Sequence, residues 1–222
     1  MVALRGVIWD MDGVLVDTGE FHFQSWMDTL TNYGIPFSRE IFNNTFGMNN
    51  EGILKLLMGE DFNSEIVTEI SERKETSFRQ AIRGQVKTLP GVLPLLDSIK
   101  SIYIPQAIGS SGPQKNIDAI VEELGLKIYF QALISAAQMP SKPDPTVFLT
   151  AAQSIRAPAA HCVVIEDAIA GIEAAHRAEM KCVAVTTTNP ASALQNADVI
   201  VDNLNDISID KLIALFDEPT NI

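Results

Sequence analysis

Gly6-Val7-Ile8-Trp9-Asp10-Met11-Asp12-Gly13-Val14 is the stretch on which the reading of this chain turns. Gly6 to Trp9 form a short uninterrupted run of the kind expected for a strand buried on both faces of a parallel sheet. The run stops in Asp10-Met11-Asp12-Gly13, which sets two carboxylates at the carboxyl end of the strand, where open α/β sheets bind ligands. Two acids two residues apart in a tight loop can divide chemical work: one attacks as a nucleophile while the other gives and takes a proton. A strand-to-turn transition that merely uses Asp and Gly has the same signature, so the rest of the chain must decide.

Outward from this stretch, similar apolar runs bounded by turn residues recur at 106–109, 132–134, 162–165, 182–185 and 199–201. Helical patterns fall between them at 92–101, 114–124, 145–154 and 168–178. Strand alternating with helix predicts an α/β fold, a doubly wound parallel Rossmann-like sheet. From about Leu15 to Lys87 the alternation is broken and only amphipathic helical segments appear. Phe23, Trp26, Met27 and Leu30 recur at i, i+3, i+4, i+7, and Ile53, Leu56 and Leu57 repeat the spacing more briefly. Ser64 is placed as the N-cap of a further helix over 64–83, along which Val67, Ile70, Lys74 and Phe78 are spaced. The expected organisation is a catalytic core of residues 1–14 and 88–222 interrupted by an inserted all-helical cap domain, residues 15–87.

Composition narrows the function. Sixteen basic against twenty-eight acidic residues among 222 give a net charge of -12, with the acids scattered along the chain. That balance speaks against nucleic acid or an anionic membrane surface as partner. A protein this acidic binds a phosphate only where a cation or aimed donors reverse the field locally, which directs attention to a metal site. No run reaches the roughly 18 apolar residues a membrane helix needs, and Met1 to Asp10 lacks the pattern of a secretory signal. A cytoplasmic location is therefore expected. Cys162 and Cys182 lie in apolar runs that read as neighbouring strands, so free buried thiols are expected rather than a disulfide or a zinc site.

Three further stretches carry chemistry. Ile165-Glu166-Asp167 again ends a strand in acids. Asp167 is equally suited to cap the helix that follows, but together with Asp10 and Asp12 it makes an oxygen-rich set that suits magnesium. Gly171 within that helix predicts a close approach to another backbone. Ser110-Ser111-Gly112 is either an ordinary turn or a hydroxyl and amides placed to hold phosphate oxygens. Lys142, in Ser141-Lys142-Pro143-Asp144-Pro145, supplies the positive charge that an acidic phosphate site requires.

In this order the four pieces resemble the four motifs of the haloacid dehalogenase superfamily: Asp10-Met11-Asp12-Gly13, Ser110, Lys142 and Glu166-Asp167. The resemblance spans the chain. It points to the branch with a helical cap inserted after the first motif, which includes phosphoglycolate phosphatase, sugar-phosphate phosphatases and β-phosphoglucomutase. It implies that Asp10 attacks phosphorus to form an aspartyl phosphate while Asp12 protonates the leaving oxygen and then activates the acceptor. It further implies Mg2+ bound by the Asp10 carboxylate, the Asp12 main-chain carbonyl and Asp167, with Glu166 binding it directly or from just behind. Ser110, Ser111 and Lys142 would hold phosphoryl oxygens. Two positions depart from the pattern: Ala168 replaces a common serine or threonine, and Glu179 stands where a glycine often ends the next helix, at a cost of roughly 1 to 2 kcal/mol if it is left-handed.

The resemblance also bears on substrate. Thr18 to Trp26 is similar to the hinge and first cap helix of the mutase, in which His22 either assists Asp12 or is a structural surface residue. The mutase's cap arginine and lysine, which grip a second phosphate, align here with Asn50 and Gln80. Arg39, Lys55, Arg73, Lys74 and Arg79 remain as possible substrate contacts, most of them expected on solvated helix faces. These readings rank a phosphatase acting on a small phosphorylated metabolite first, a phosphomutase second and a phosphonate hydrolase third. A catalytically silent binding protein is the alternative from another class. A monomer or weak dimer is expected.

Overall fold

The structure, a computed structural model, describes residues 4–59 and 63–217. Six parallel strands form one sheet: β1 (Gly6–Trp9), β2 (Gln106–Ser110), β3 (Ala132–Ser135), β4 (Cys162–Glu166), β5 (Lys181–Val185) and β6 (Val199–Val201). Their order is β3-β2-β1-β4-β5-β6. The chain winds outward from β1 in one direction and then returns to its other side, so Val7 pairs with Gln106 on one flank and Val163 on the other. A crevice opens at such a reversal, beyond the carboxyl ends of the strands.

Period-two alternation divides the strand side chains between two apolar layers. Val7, Trp9, Val163, Ile165 and Val183 face α5 (Val92–Ser101) and α6 (Gln114–Glu123), where Leu96, Ile99, Ile117 and Ile120 join the same cluster. Ile8, Val164, Cys182 and Ala184 face α7 (Thr146–Ser154) and α8 (Ile169–Arg177), through Phe148, Ala151, Ile172 and Ala175. Each large aliphatic or aromatic side chain buried in this way contributes about 1.5–3 kcal/mol. The last helix, α9 (Ile209–Ala214), covers the edge near α5.

Three strands run one residue beyond their apolar runs, to Ser110, Ser135 and Glu166. The backbone ladder continues through Ser110↔Ser135 and Glu166↔Ala184, because main-chain pairing is indifferent to the polarity of the side chain it carries. The result is to hold Ser110 and Glu166 on the sheet itself. Cys162 and Cys182 are free and buried, and burial pushes the Cys162 thiol up to about 12.

Among the described residues, four helices lie between β1 and α5: α1 (Gly19–Thr31), α2 (Arg39–Thr45), α3 (Asn50–Met58) and α4 (Ser64–Ile82). They have an apolar cluster of their own, built on Trp26, Leu30, Phe42, Leu54, Val67 and Ile70. The connectors leaving and rejoining the core are held side by side, Leu89 N–H donating to the Leu15 carbonyl over 3.0 Å. The cap of α4 is Asn63 rather than Ser64: its Oδ1 accepts from the N–H of Glu65 and of Ile66, and an amide oxygen in this position satisfies two of the free N–H groups of the first turn. Lys74 is 2% exposed, part of the stripe that α4 buries. Glu179 is left-handed, with φ 59°, the conformation to which the cost above applies. No helix among the described residues is long and apolar enough to cross a membrane.

Candidate active site

The crevice over β1 has a floor made by the sheet. The Asp10 N–H donates to the Ile165 carbonyl, which ties the end of β1 to β4. Lys142 Nζ reaches Asp10 Oδ1 at 2.6 Å and Glu166 Oε1 at 2.7 Å. The other Glu166 oxygen accepts the N–H groups of Asp167 and Ala168 at 2.7 and 2.8 Å. Both Glu166 oxygens are thus engaged, and its carboxylate fixes Lys142 and the turn into α8. Gly171 makes room for that carboxylate: a Cβ there would lie 1.8 Å from Glu166 Oε1. The close neighbour anticipated at Gly171 is therefore a side chain, not a backbone. Gly13 is required for a similar reason, because its φ is 87° and a Cβ would lie 1.9 Å from Asp167 Oδ2. Asp167 does not cap α8; its carboxylate accepts from the Thr188 hydroxyl, and its carbonyl accepts from Asn189 Nδ2 at 3.0 Å.

Asp10, Glu166 and Asp167 are buried against a single cation, Lys142. Burial raises the Asp10 carboxyl to about 7, a rise that Lys142 opposes and Glu166 and Asp12 reinforce. Burial, Glu166 and Asp10 likewise raise Asp167 well above the ordinary carboxylate value. Among the described residues no three His, Cys, Asp or Glu side chains form a preassembled cage. Magnesium needs none, since it takes one or two carboxylates and completes its shell with carbonyls and water. Two carboxylates with an uncompensated buried charge, Asp10 and Asp167, beside the Asp12 backbone, fit such a dication.

The roof comes from the helical insertion. Thr18, just before α1, donates its hydroxyl to Asp12 Oδ1. His22 Nε2 lies 3.2 Å from the same oxygen, and His22 Nδ1 lies 2.7 Å from Lys74 Nζ. An ammonium can only donate, so Nδ1 accepts and the ring proton sits on Nε2, aimed at Asp12. The imidazole is stacked on Phe78 with ring centroids 3.8 Å apart. His22 is therefore a buried bridge and not a surface residue. Burial pushes the Asp12 carboxyl up, but His22 facing it and the bonds from His22 and Thr18 outweigh burial and hold it below the ordinary carboxylate value.

Lys74 also pairs with Glu75 at 2.8 Å, and Glu75 accepts from Asn50 Nδ2 at 2.8 Å and from Asn116 Nδ2, on α6, at 2.6 Å. The insertion is latched to the core by Asn49, whose Nδ2 donates to the carbonyls of Ala136 and Met139. Ser111 takes part in the same closure, its hydroxyl donating to the Gly47 carbonyl at 2.6 Å. Between roof and floor lies a partly open chamber of about 50 Å³ lined by Asp10, Asp12, His22, Lys74, Glu75 and Ser110 among others.

Of the residues singled out from sequence, Asp10, Asp12, Thr18, His22, Asn50, Ser110, Ser111, Lys142, Glu166 and Asp167 are gathered around the crevice. Gln80 is not: it is exposed on the outer side of α4, in a surface groove with Asp28, Asn32 and Arg73. The cation that α4 does bring inside is Lys74. Arg39, bound to Glu20, and Arg73, bound to Glu69, lie on the surface, as does Lys55. Glu75, Asn116, Asn49, Thr188 and Asn189 were not foreseen. For Glu75 a signal existed, since it adjoins Lys74 on the buried stripe; the others are isolated polar residues with no pattern to mark them.

The haloacid dehalogenase-like hydrolase family profile matches residues 7–185. The β-phosphoglucomutase of Bacillus subtilis is 31% identical over 94% of each chain. The fructose-1-phosphate phosphatase of Escherichia coli is 32% identical over 81% of this chain and 95% of its own. Among solved structures, the β-phosphoglucomutase of Clostridium difficile superposes with a TM-score of 0.85 at 26% identity, covering 93% of this chain and 94% of its own. With the floor, the sheet order and these likenesses in agreement, the chain belongs to the haloacid dehalogenase-like hydrolases.

Proposed function

We propose that this chain is a magnesium-dependent phosphatase that hydrolyses a small phosphate ester, a sugar phosphate, through an aspartyl phosphate on Asp10, acting in the cytoplasm within a core of residues 1–14 and 88–222 under a cap of residues 15–87. The observation that carries the reading is the pairing of Asp10 with Lys142 at 2.6 Å, beside Asp12, in the crevice between core and insertion. Phosphatases of carbohydrate phosphates among the relatives support the substrate class.

In the first half-reaction an Asp10 oxygen attacks phosphorus, the bond to the leaving oxygen breaks, and Asp12 gives that oxygen a proton. In the second, Asp12 takes a proton from water, the water attacks the aspartyl phosphate, and inorganic phosphate leaves with Asp10 restored. The depressed Asp12 carboxyl suits this basic role. Lys142 and Ser110 hold phosphoryl oxygens as charge shifts among them. Glu166 keeps Lys142 in place, and the Ser111 hydroxyl is spent on closure. Asp10, Asp167 and the Asp12 carbonyl would hold magnesium, which when bound neutralises the buried carboxylates and withdraws charge from the phosphoryl oxygens.

Similarity to a mutase over nearly the whole chain favours a second reading, phosphoryl return to the sugar. Against it, Lys74 is the one lysine or arginine lining the chamber among the described residues, and it is already paired with Glu75. A bisphosphate intermediate needs charge-assisted partners in the roof to stay bound while it reorients. The test supplies β-glucose 1-phosphate, a trace of the 1,6-bisphosphate and magnesium, and follows glucose 6-phosphate and inorganic phosphate together. Phosphate release outpacing isomerisation is expected; isomerisation well ahead of release would replace the phosphatase with the mutase.

A further inference from the structure

The chamber is small, about 50 Å³. A phosphoryl group fills it, so the rest of a substrate must lie elsewhere. Next to it, between the insertion and the core, runs an outer groove of about 790 Å³. Three residues line both spaces: Asn50, Glu75 and Ser111. Asn50 and Ser111 are neutral and hydrogen-bonded, so Glu75 is the charged residue at the passage itself, with Glu51, Glu72, Arg79 and Lys115 further along the groove.

Glu75 is 4% exposed. Lys74, Asn50 and Asn116 fill three of the about four acceptor sites that a carboxylate offers, which leaves one for an incoming hydroxyl. Lys74 and Asn50 both bond Glu75 Oε1, while Oε2 accepts from Asn116 alone, so the open acceptor position is on Oε2, away from the ammonium. Arg79, which lines the outer groove, is bonded to Asn116 and Thr76. Asp10 and Asp12 also line the chamber, Asp10 being paired with Lys142 at 2.6 Å.

We propose that Glu75 is a specificity-determining residue of the reaction assigned above: at the passage between chamber and outer groove its carboxylate accepts a hydroxyl of a neutral polyol leaving group and rejects a leaving group that carries a second phosphate. Selection by repulsion discriminates where attractive contacts to two similar esters are alike. This rests on the hydrolase reading, whose own failure has a different signature. The experiment compares kcat/KM for fructose 6-phosphate and fructose 1,6-bisphosphate by initial phosphate release, in the wild type and in Glu75→Gln, which keeps the shape and removes the charge. The wild type should prefer the monophosphate by about tenfold or more. Glu75→Gln should narrow that ratio by about tenfold, through a lower KM for the bisphosphate. A wild type that treats the two alike overturns the assignment whether or not the variant folds, and so does a folded Glu75→Gln with an unchanged ratio. If Glu75→Gln does not fold, Lys74→Met, which strips the compensating charge, must widen the ratio; a ratio that stays put overturns the assignment. Absence of phosphate release from every ester would overturn the hydrolase reading itself, whereas equal rates on the two esters sink the role of Glu75 alone.

Discussion

The floor and the roof of the chamber solve the problem of buried charge in opposite ways. On the floor, Asp10, Glu166 and Asp167 stand against Lys142, an excess of negative charge fixed to strand ends. In the roof, Lys74 and Glu75 form a balanced pair held by His22, Asn50 and Asn116, with one acceptor position of Glu75 left open. Burying charge without a partner costs several kcal/mol, so a floor left in deficit is a place prepared for an incoming cation, while a roof whose charges are paired is a shaped wall. In the proposed mechanism the floor holds the chemistry and the roof selects what reaches it.

The largest effect that would break this division is at Asp10. Asp10→Asn preserves shape but cannot attack phosphorus, and it should lower turnover by more than about a hundredfold with the fold intact. Retention of more than a few per cent of turnover in a steady-state assay would remove Asp10 from the mechanism. Next is Lys142→Met, which strands two buried carboxylates. A loss of about 3–5 kcal/mol is expected, a fall in Tm of about 10 °C, together with loss of activity. Thermal denaturation that leaves Tm unchanged would mean that the floor does not carry the uncompensated charge described for it.

A pH titration separates the two regions by sign. Asp10 is raised to about 7 in the folded protein, so its ionised form is a penalty present in full above pH 7, shrinking as pH falls and gone below its unfolded value of 3.8. Glu75 is depressed, chiefly by Lys74 acting against burial; its stabilisation is complete above 4.5 and lost as pH falls below that. In chelator, Asp10→Asn should therefore raise Tm at pH 8 and do so progressively less down to pH 4, whereas Glu75→Gln should lower Tm at pH 8 and converge on the wild type below 4.5. Magnesium should abolish the first effect and leave the second. Parallel curves for the two variants would refute the contrast.

The floor was legible because its residues sit where a strand pattern ends. An apolar run breaking into Asp10-Met11-Asp12 or Glu166-Asp167 states both the element and the place of the acid on it. Lys142 was legible from its loop only alongside those acids. The roof was not, because a helix face has to be assigned before any of its polar residues means anything. Lys74 shared the spacing of Val67, Ile70 and Phe78, yet its charge argued for solvent, and the partners that make it tolerable in the interior, His22 and Glu75, come from packing. Thr188 and Asn189 become site residues only because β5 delivers its loop beside Asp167. Asn116 reaches Glu75 across 41 positions of sequence, a pairing no local pattern encodes.

The smallest effect expected is at Gln80, and it is the sharpest test of which face of α4 looks inward. At 3.6 residues per turn, a residue six positions beyond Lys74 lies about 240° round the helix, and the structure has Gln80 exposed beside Asp28 and Asn32. A cation placed there has no route to a substrate in the chamber. Gln80→Arg should leave kcat/KM within about twofold, the range of an inconsequential surface change, and should not shift the balance between phosphate release and isomerisation. Asn50→Arg, which lines the chamber beside Glu75, should move that balance toward retention of a bisphosphate by adding a charged partner for the second phosphate. If Gln80→Arg shifted the balance and Asn50→Arg did not, α4 would have to present a different face during turnover, and the assignment of Lys74 and Glu75 to the roof would fall with it.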